Sequence, residues 1–445
     1  MTDQSESLFW DKYISKTKAY RIKSTAARWY VRHAERYIKA HANLRLAQHS
    51  ASQMEKYIRE KGRNSYLEDW QYKQMIVALR ILFIEMVKAP WARDFGWDDW
   101  MVAADSLPNS HATVARDYQP IEINRNEALD STTRDNDSAL YKQVFKQYPE
   151  HIRAFIAQIR VRHYSIRTER AYLGWILRYI SFYSMQNPAE LSEHHISGYL
   201  EYLAIQRKVA SSTQSQALNA LIFFYRQVLQ CELDERIEFV HSKKPRRLPI
   251  VLTIDEVKRL FYHLDNPTQQ LMANLLYGCG MRLMECVRLR ILDVDFGYQQ
   301  ILVRNTKGNK DRVVPIPKKL MAILQAHVDK VKELHIEDIE QGFGKVYLPG
   351  ALARKYPNAE REFRWQYVFP SSRLTTDPRS GVSRRHHVHE SGLQKHIKKA
   401  GEQAGITKKV NCHALRHSFA THLAGARRWP IFLLLQNRHT LHPCR

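Results

Sequence analysis

Cysteine, glycine and proline are all scarce in this chain. Its five cysteines (Cys231, Cys279, Cys286, Cys412 and Cys444) are scattered through 445 residues, with no C-x-x-C pair. That argues against a disulfide framework and a cysteine zinc site, and fits a reducing cytoplasm. Glycine and proline number 16 each, well below the roughly 7% and 5% of an average chain. So few breakers favour long helices over a turn-dense all-β fold. No apolar run approaches the roughly 20 residues of a membrane span. The opening MTDQSESLFWDKY lacks the charged-then-apolar order of a signal peptide.

What is abundant is positive charge. Lys and Arg total 69 against 45 Asp and Glu, a net +24 with histidine neutral. Hydrophobic residues make up 44% and aromatics 11%, which excludes wholesale disorder. At roughly 100–200 residues per domain, the length predicts two to four domains. A folded, strongly basic chain points first to nucleic acid, because clustered Lys and Arg gain by releasing counterions from phosphates. A merely soluble basic enzyme is the bland alternative.

Residues 1–104 read as a helical domain. Trp29, Tyr30, His33 and Tyr37 recur at helical spacing, and Gln71–Lys88 puts Met75, Ile76, Leu79, Leu82, Phe83 and Met86 on one stripe. Trp91, Trp97 and Trp100 are expected in its core. Residues 105–140 are polar and aperiodic, a linker. A second helical unit, 141–241, echoes the first at a shift of 142 residues. Arg28 meets Arg170, Arg36-Tyr37-Ile38 meet Arg178-Tyr179-Ile180, Tyr57 meets Tyr199, and Gln74 meets Gln216. The matching helical phase favours a duplicated module. The stiff, basic segment 242–249 (SKKPRRLP) separates it from the C-terminal part of the chain.

From 250 to about 437 the pattern mixes long helices with a little strand. Thr253-Ile254-Asp255-Glu256 is a capping box, opening a helix through Leu264. Gln300–Arg304 and Arg312–Pro315 flank Lys307-Gly308-Asn309-Lys310 and predict a hairpin. Residues 334–400 read as an irregular basic stretch.

Two short segments carry chemistry. In YGCGMRLMECVRLRILDVDF, Gly278 and Gly280 break the chain before a helix presenting Arg282, with Glu285 one turn on. In CHALRHSFATHL, His413 and Arg416 share a helix face with His417 beside them. Two arginines and a histidine converging on one point would clamp a pentavalent phosphate, since Arg forks grip non-bridging oxygens bidentately. Lys307 adds a cation able to act as general acid toward a leaving oxygen. Singly, each has an ordinary structural reading: a surface ion pair, a core histidine, a solvated lysine. Jointly, G-x-R-x-x-E, T-K-G-x-K-x-R and H-x-L-R-H-S-F-A-T-H are hard to obtain by accident. His386, His387 and His389 with Glu390 match no common metal-ligand spacing. Arg384 and Arg385 beside them favour DNA contact or solvation.

This conjunction resembles the tyrosine site-specific DNA recombinases, and more closely the integron integrases, over residues 150–437. HYSIRTERAYLGWI (His163–Ile176) and STQSQALNALIFFY (Ser212–Tyr225) look like that family's core DNA-binding domain. RRLPIVLTIDEV (Arg246–Val257) looks like the start of its catalytic domain. LPGALARKYP and TDPRSGVSRRHHVHE, within an insertion at about 334–390, resemble the segment that distinguishes integron integrases. The fold this implies is mainly α with a small β-sheet. It comprises a helical core DNA-binding domain and a mixed α+β catalytic domain, preceded here by the extra helical domain.

The resemblance also implies function. Arg282 and Arg416 would hold the scissile phosphate, Lys307 would be general acid, and His413 would assist proton transfer. A tyrosine would attack to give a 3′-phosphotyrosyl link, with no metal or nucleotide cofactor. DNA, duplex or folded single-stranded, would be the partner, bound by a homo-oligomer that is a tetramer in the family. DNA contacts would come from Arg167, Arg170, Lys243, Lys244, Arg246, Arg247, Lys310, Arg312, Arg384, Arg385, His386 and His387.

One expected element is missing from the pattern. The family's nucleophile follows a Leu-Gly-His motif beyond the second arginine, yet the last tyrosine here is Tyr367. His439 falls near the right spacing but follows Asn437-Arg438. Residues 438–445 read as an aberrant tail, as a frameshift or truncation would produce. The expectation is a chain that binds DNA without forming the covalent intermediate. The alternative is a non-catalytic DNA-binding protein occupying recombination sites.

Overall fold

The computed structural model describes residues 3–63, 67–108, 111, 113, 135–162, 164–233, 248–304, 311–348, 350–376 and 381–425. Lys243, Lys244, Arg246, Arg247, Lys307, Lys310 and His439 lie outside them. The chain divides into two compact units, residues 108–248 and residues 1–107 together with 249–445.

The N-terminal module contains α1 (Asp3–Thr17), α2 (Ser24–Ala40), α3 (Ala51–Gly62), α4 (Asp69–Ile81) and α5 (Trp97–Ala103). Ser50 caps α3, accepting from the Gln53 amide while the Gln53 side chain accepts from Ser50 N. Tyr13, Tyr37, Tyr72, Met54, Ile76 and Phe83 fill the core, all fully buried. Trp97 is buried with its indole N–H on the Ala92 carbonyl at 2.8 Å, and Trp91 donates to the His49 carbonyl at 2.7 Å. The predicted helix Gln71–Lys88 begins two residues earlier and ends in a π-turn over Leu82–Val87. Lys88 closes it at φ 54°.

The second unit holds α6 (Asp135–Gln147), α7 (Pro149–Val161), α8 (Ile166–Phe182), α9 (Glu193–Ile205) and α10 (Ser211–Phe224). Its elements repeat those of the first module at the same spacing. Ser24–Ala40 becomes Ile166–Phe182, and the 3₁₀ turn Leu46–Gln48 becomes Pro188–Glu190. The π-turn recurs at Tyr225–Leu229, and Gln230 closes it at φ 55°. Buried Tyr37, Met54, Tyr57, Ile58 and Leu79 have buried counterparts in Tyr179, Ile196, Tyr199, Leu200 and Leu221. An internal polar contact repeats too. Gln74 Oε1 lies 3.2 Å from His33 Nε2, and Gln216 Oε1 accepts from Trp175 Nε1 at 3.1 Å.

The C-terminal domain comprises α11 (Ile254–Tyr262), α12 (Pro267–Gly278), α13 (Leu283–Val287), α14 (Lys318–Glu340), α15 (Gly350–Lys355), α16 (Glu390–Gln403) and α17 (Cys412–Gly425). The Thr253 hydroxyl accepts from Glu256 N at 3.2 Å, and Glu256 returns the bond to Thr253 N at 2.7 Å, so the predicted capping box opens α11. β1 (Val294–Asp295), β2 (Gln300–Val303) and β3 (Arg312–Pro315) form an antiparallel sheet in that order. Val303 faces Arg312 in the predicted hairpin. β4 (Pro370–Thr376) and β5 (Ser383–His387) make a second antiparallel pair. The stretch 334–400, expected to be irregular, is largely ordered. α14 runs on to Glu340 because Val328, Val331 and His335 give it a buried stripe, and α16 begins at Glu390 behind a His389 cap.

The N-terminal module packs onto this domain. Ala103 joins the core around Leu393 and Ile397, and the Ser371 hydroxyl donates to the Ala103 carbonyl at 3.0 Å. Gly62 lies so close to β4 that a Cβ there would meet Ser372 O at 2.5 Å. Asp338 on α14 receives Arg63 Nε at 2.9 Å and Arg385 Nε at 2.5 Å. Arg373 on β4 reaches Asp69 and the Leu67 carbonyl. Burial works against ionised Asp338, but Arg385 and Arg63 outweigh it and hold the carboxyl below its ordinary value.

Candidate phosphate-binding site

The site is built where α12 ends. The chain reverses through Gly280 at φ 59°, a conformation glycine adopts without cost. There is no room for a side chain either, since a Cβ would lie 2.5 Å from the Phe419 ring. The Gly280 carbonyl accepts from Arg416 Nη1 on α17. Two residues on, Arg282 caps the short helix α13.

Glu285 is the hub. It accepts from Arg282 N at 2.8 Å and Arg282 Nη1 at 2.7 Å. Arg312 on β3 reaches it with two nitrogens, at 2.9 and 2.6 Å. Arg416 Nη1 stands 3.8 Å from the same carboxylate. Burial pushes the Glu285 carboxyl up, but the Arg312 and Arg282 hydrogen bonds dominate and hold it at about 2. Its side chain is 7% exposed, whereas those of Arg282, Arg312 and Arg416 are 37%, 29% and 26% exposed. Three guanidiniums against one ionised carboxylate leave a positive, partly open site. The carboxylate orients the forks while their outer N–H groups stay available to an anion.

His413 stands exposed on the same helix as Arg416, edge-on to His417 with ring centroids 5.0 Å apart. Burial, His417, Arg416 and Arg282 together hold its pKa below the ordinary value. Their combined effect favours the neutral imidazole, which can give or take one proton. The buried Ser418 hydroxyl accepts from Leu252 N at 2.8 Å and donates to Ala414 O at 2.7 Å, fixing α17 against the chain before α11.

Arg282, His413 and Arg416 thus lie close together, of which spacing alone puts only His413 and Arg416 on one helix face. Arg312, expected among the DNA contacts, belongs to the same cluster. The i,i+3 relation of Arg282 and Glu285 was visible in the sequence, but not the carboxylate's grip on Arg312 across a hairpin. Gly280 against Phe419 was missed, although Phe419 lies within the H-S-F-A motif.

Three expected DNA contacts need correction. Arg385 is 4% exposed, with both its Nε and Nη2 on Asp338. His386 and His387 are 3% and 0% exposed. His387 packs its ring edge-on to Tyr367 at 5.2 Å, and both imidazoles are buried away from the surface. His389 is spent on capping α16, its Nδ1 accepting from Ser391 N at 3.1 Å. Arg384 is half-buried on β5. Arg167 is exposed and Arg170 half-buried on the first turn of α8. Beside them a cavity of about 500 Å³ is lined by Thr168, Tyr172, Ser211, Ser212, Ser215, Gln216 and Asn219. Tyr367 is buried, its ring under the Arg290 guanidinium at 4.5 Å.

Clustered, partly exposed arginines beside His413 form a positive site of a kind that suits a phosphate group. Residues 152–235 match the phage integrase N-terminal SAM-like domain and residues 251–431 match the phage integrase family. An integrase/recombinase of Escherichia coli is 45% identical over 266 residues, covering 60% of this chain and 79% of that protein. Tyrosine recombinase XerA of Thermococcus kodakarensis is 32% identical over 283 residues, covering 62% and 81%. Among solved structures, XerH recombinase bound to its difH substrate is 15% identical and covers 68% of this chain and 83% of that one, with a TM-score of 0.40. The chain belongs to the phage integrase family of tyrosine recombinases. Among the described residues no helix is long and apolar enough to cross a membrane.

Proposed function

We propose that this chain binds recombination-site DNA and holds a scissile phosphate between Arg282 and Arg416. The observation that carries this reading is the convergence of Arg282, Arg312 and Arg416 on Glu285, in a domain that matches the phage integrase family. The two arginines bind the non-bridging oxygens, and their hold strengthens as negative charge builds on phosphorus. Lys307 protonates the leaving 5′ oxygen, and neutral His413 relays a proton. Recombination in this scheme has a tyrosine oxygen attack phosphorus while the bond to the 5′ oxygen breaks. The resemblance read in the sequence points to integron cassette sites, duplex or folded single-stranded, as the DNA and a tetramer as the assembly, while the 45% identity to an E. coli integrase/recombinase supports recombination as the class of reaction.

We propose that residues 1–445 by themselves stop short of cleavage. No tyrosine occurs between Tyr367 and Arg445, and Tyr367 is only 3% exposed beneath Arg290. That observation favours the second reading, a DNA-binding occupant of recombination sites. A nicked suicide substrate incubated with the chain tests both. DNA binding without a detergent-resistant protein–DNA adduct is expected. A phosphotyrosyl adduct overturns the defect, and absence of binding overturns both readings.

A further inference from the structure

The N-terminal module carries a basic stripe that nothing in the catalytic site uses. On α2, Arg28, Arg32, Arg36 and Lys39 are all exposed, while Ala27, His33, Ala34 and Tyr37 on the opposite face are buried. Among the described residues no ion pair joins these four to an acidic group, Glu35 on the same helix included. Trp29 lies 43% exposed, with the Arg28 and Arg32 guanidiniums 5.2 and 5.3 Å from its ring. The ring holds two cations in place at the surface, where free arginines would sample many rotamers.

We propose that this stripe is a second DNA-backbone contact, separate from the core DNA-binding domain and from the Arg282–Arg416 site. Two observations carry it independently. The first is spacing. A four-residue step along a helix advances about 6 Å, near the roughly 7 Å axial advance of two phosphates on one strand. The second is the repeat. α2 occupies the place of α8, and Arg28 and Arg36 stand where Arg170 and Arg178 stand in the segment matching the SAM-like domain. The module's other face is already committed. Asp69 pairs with Arg373, and Arg59 and Arg63 pair with Glu337 and Asp338. Docking is done on that side, and α2 is left outward. The contact reads phosphates and no bases, so it adds affinity without sequence preference.

This inference rests on the DNA-binding reading of the whole chain, and its test separates the two. The full chain and the variant R28A/R32A/R36A are titrated with random-sequence duplex DNA across a salt series. Loss of three phosphate contacts lowers the slope of log K against log salt by about 2–3, and affinity at 0.1 M salt on the order of 100-fold. R28K/R32K/R36K keeps the slope, because counterion release counts charge. If the alanine variant misfolds by circular dichroism, R32A alone is expected to lower the slope by about 1. Binding by the full chain with a slope that these substitutions leave unchanged overturns the second contact alone. No binding by the full chain overturns both.

Discussion

Arg312 grips Glu285 with both terminal nitrogens, at 2.9 and 2.6 Å, across the gap between the hairpin and α13. The carboxyl is held at about 2 against an ordinary 4.5. Because the folded value is depressed, this stabilisation is complete above pH 4.5 and is lost as pH falls toward 2. Glu285→Gln is therefore expected to cost about 2 kcal/mol at pH 7, after allowance for solvent at the arginines. Urea unfolding of wild type and variant checks this. The difference should shrink steadily from pH 5 to pH 3, and a difference independent of pH contradicts the assignment.

The seam between the N-terminal module and the catalytic domain depends on Asp338. Its side chain is 2% exposed, with Arg63 and Arg385 at 6% and 5%. Asp338→Asn leaves two buried guanidiniums facing a neutral amide, at an expected cost of about 3–5 kcal/mol. The module should loosen first, because Arg63 anchors it. Limited proteolysis should cut residues 1–107 free in the variant and not in the wild type. Equal resistance would show that the apolar contacts around Ala103 suffice.

The range of each interaction decided whether the sequence revealed it. Helical phase is local, so the repeat at Tyr37/Tyr179 and Tyr57/Tyr199 was readable, as was the Thr253 capping box. Arg282 and Glu285, three residues apart, were legible as a pair. The partners of Asp338 were not. Arg63 and Arg385 lie 275 and 47 residues away, and nothing in RRHH distinguishes a solvated basic run from a buried strand. Alternation along β5 was masked by its burial from His387 back to Arg385. Charge alone points Arg385 to DNA, and its pairing with Asp338 reverses that.

Gly280 offers a sharper test of the turn that positions Arg282. Gly280→Ala forces a Cβ into the Phe419 ring while the backbone remains at φ 59°. Left-handed strain and displacement of Phe419 together should cost on the order of 2–3 kcal/mol. The displaced carbonyl should also release Arg416. Weaker binding of a phosphate-containing DNA probe should therefore accompany the fall in Tm. A fall in Tm with unchanged DNA affinity would separate the turn from the clamp.

Asp99 supplies a pH-dependent element at the seam. Burial raises its carboxyl to about 6, with Asp98 adding to the rise and Lys330 and Asn266 opposing it. Its Oδ1 is buried without a hydrogen bond, as is Nδ2 of Asn266. Here the folded value lies above the unfolded 3.8, so the protonated form is the better fit. Stability is lost as pH rises from about 4 to about 6 and stays lost above that. Asp99→Asn keeps the shape and removes the charge, so it should stabilise the chain by on the order of 2 kcal/mol at pH 7.5. The gain should vanish near pH 4, where the wild-type carboxyl is itself protonated. Thermal melts of both proteins from pH 4 to 8 measure it. A variant less stable at pH 7.5 would mean that Lys330 keeps Asp99 ionised and that the seam is held by an ion pair, and a gain that persists at pH 4 would mean that the effect does not come from the Asp99 charge.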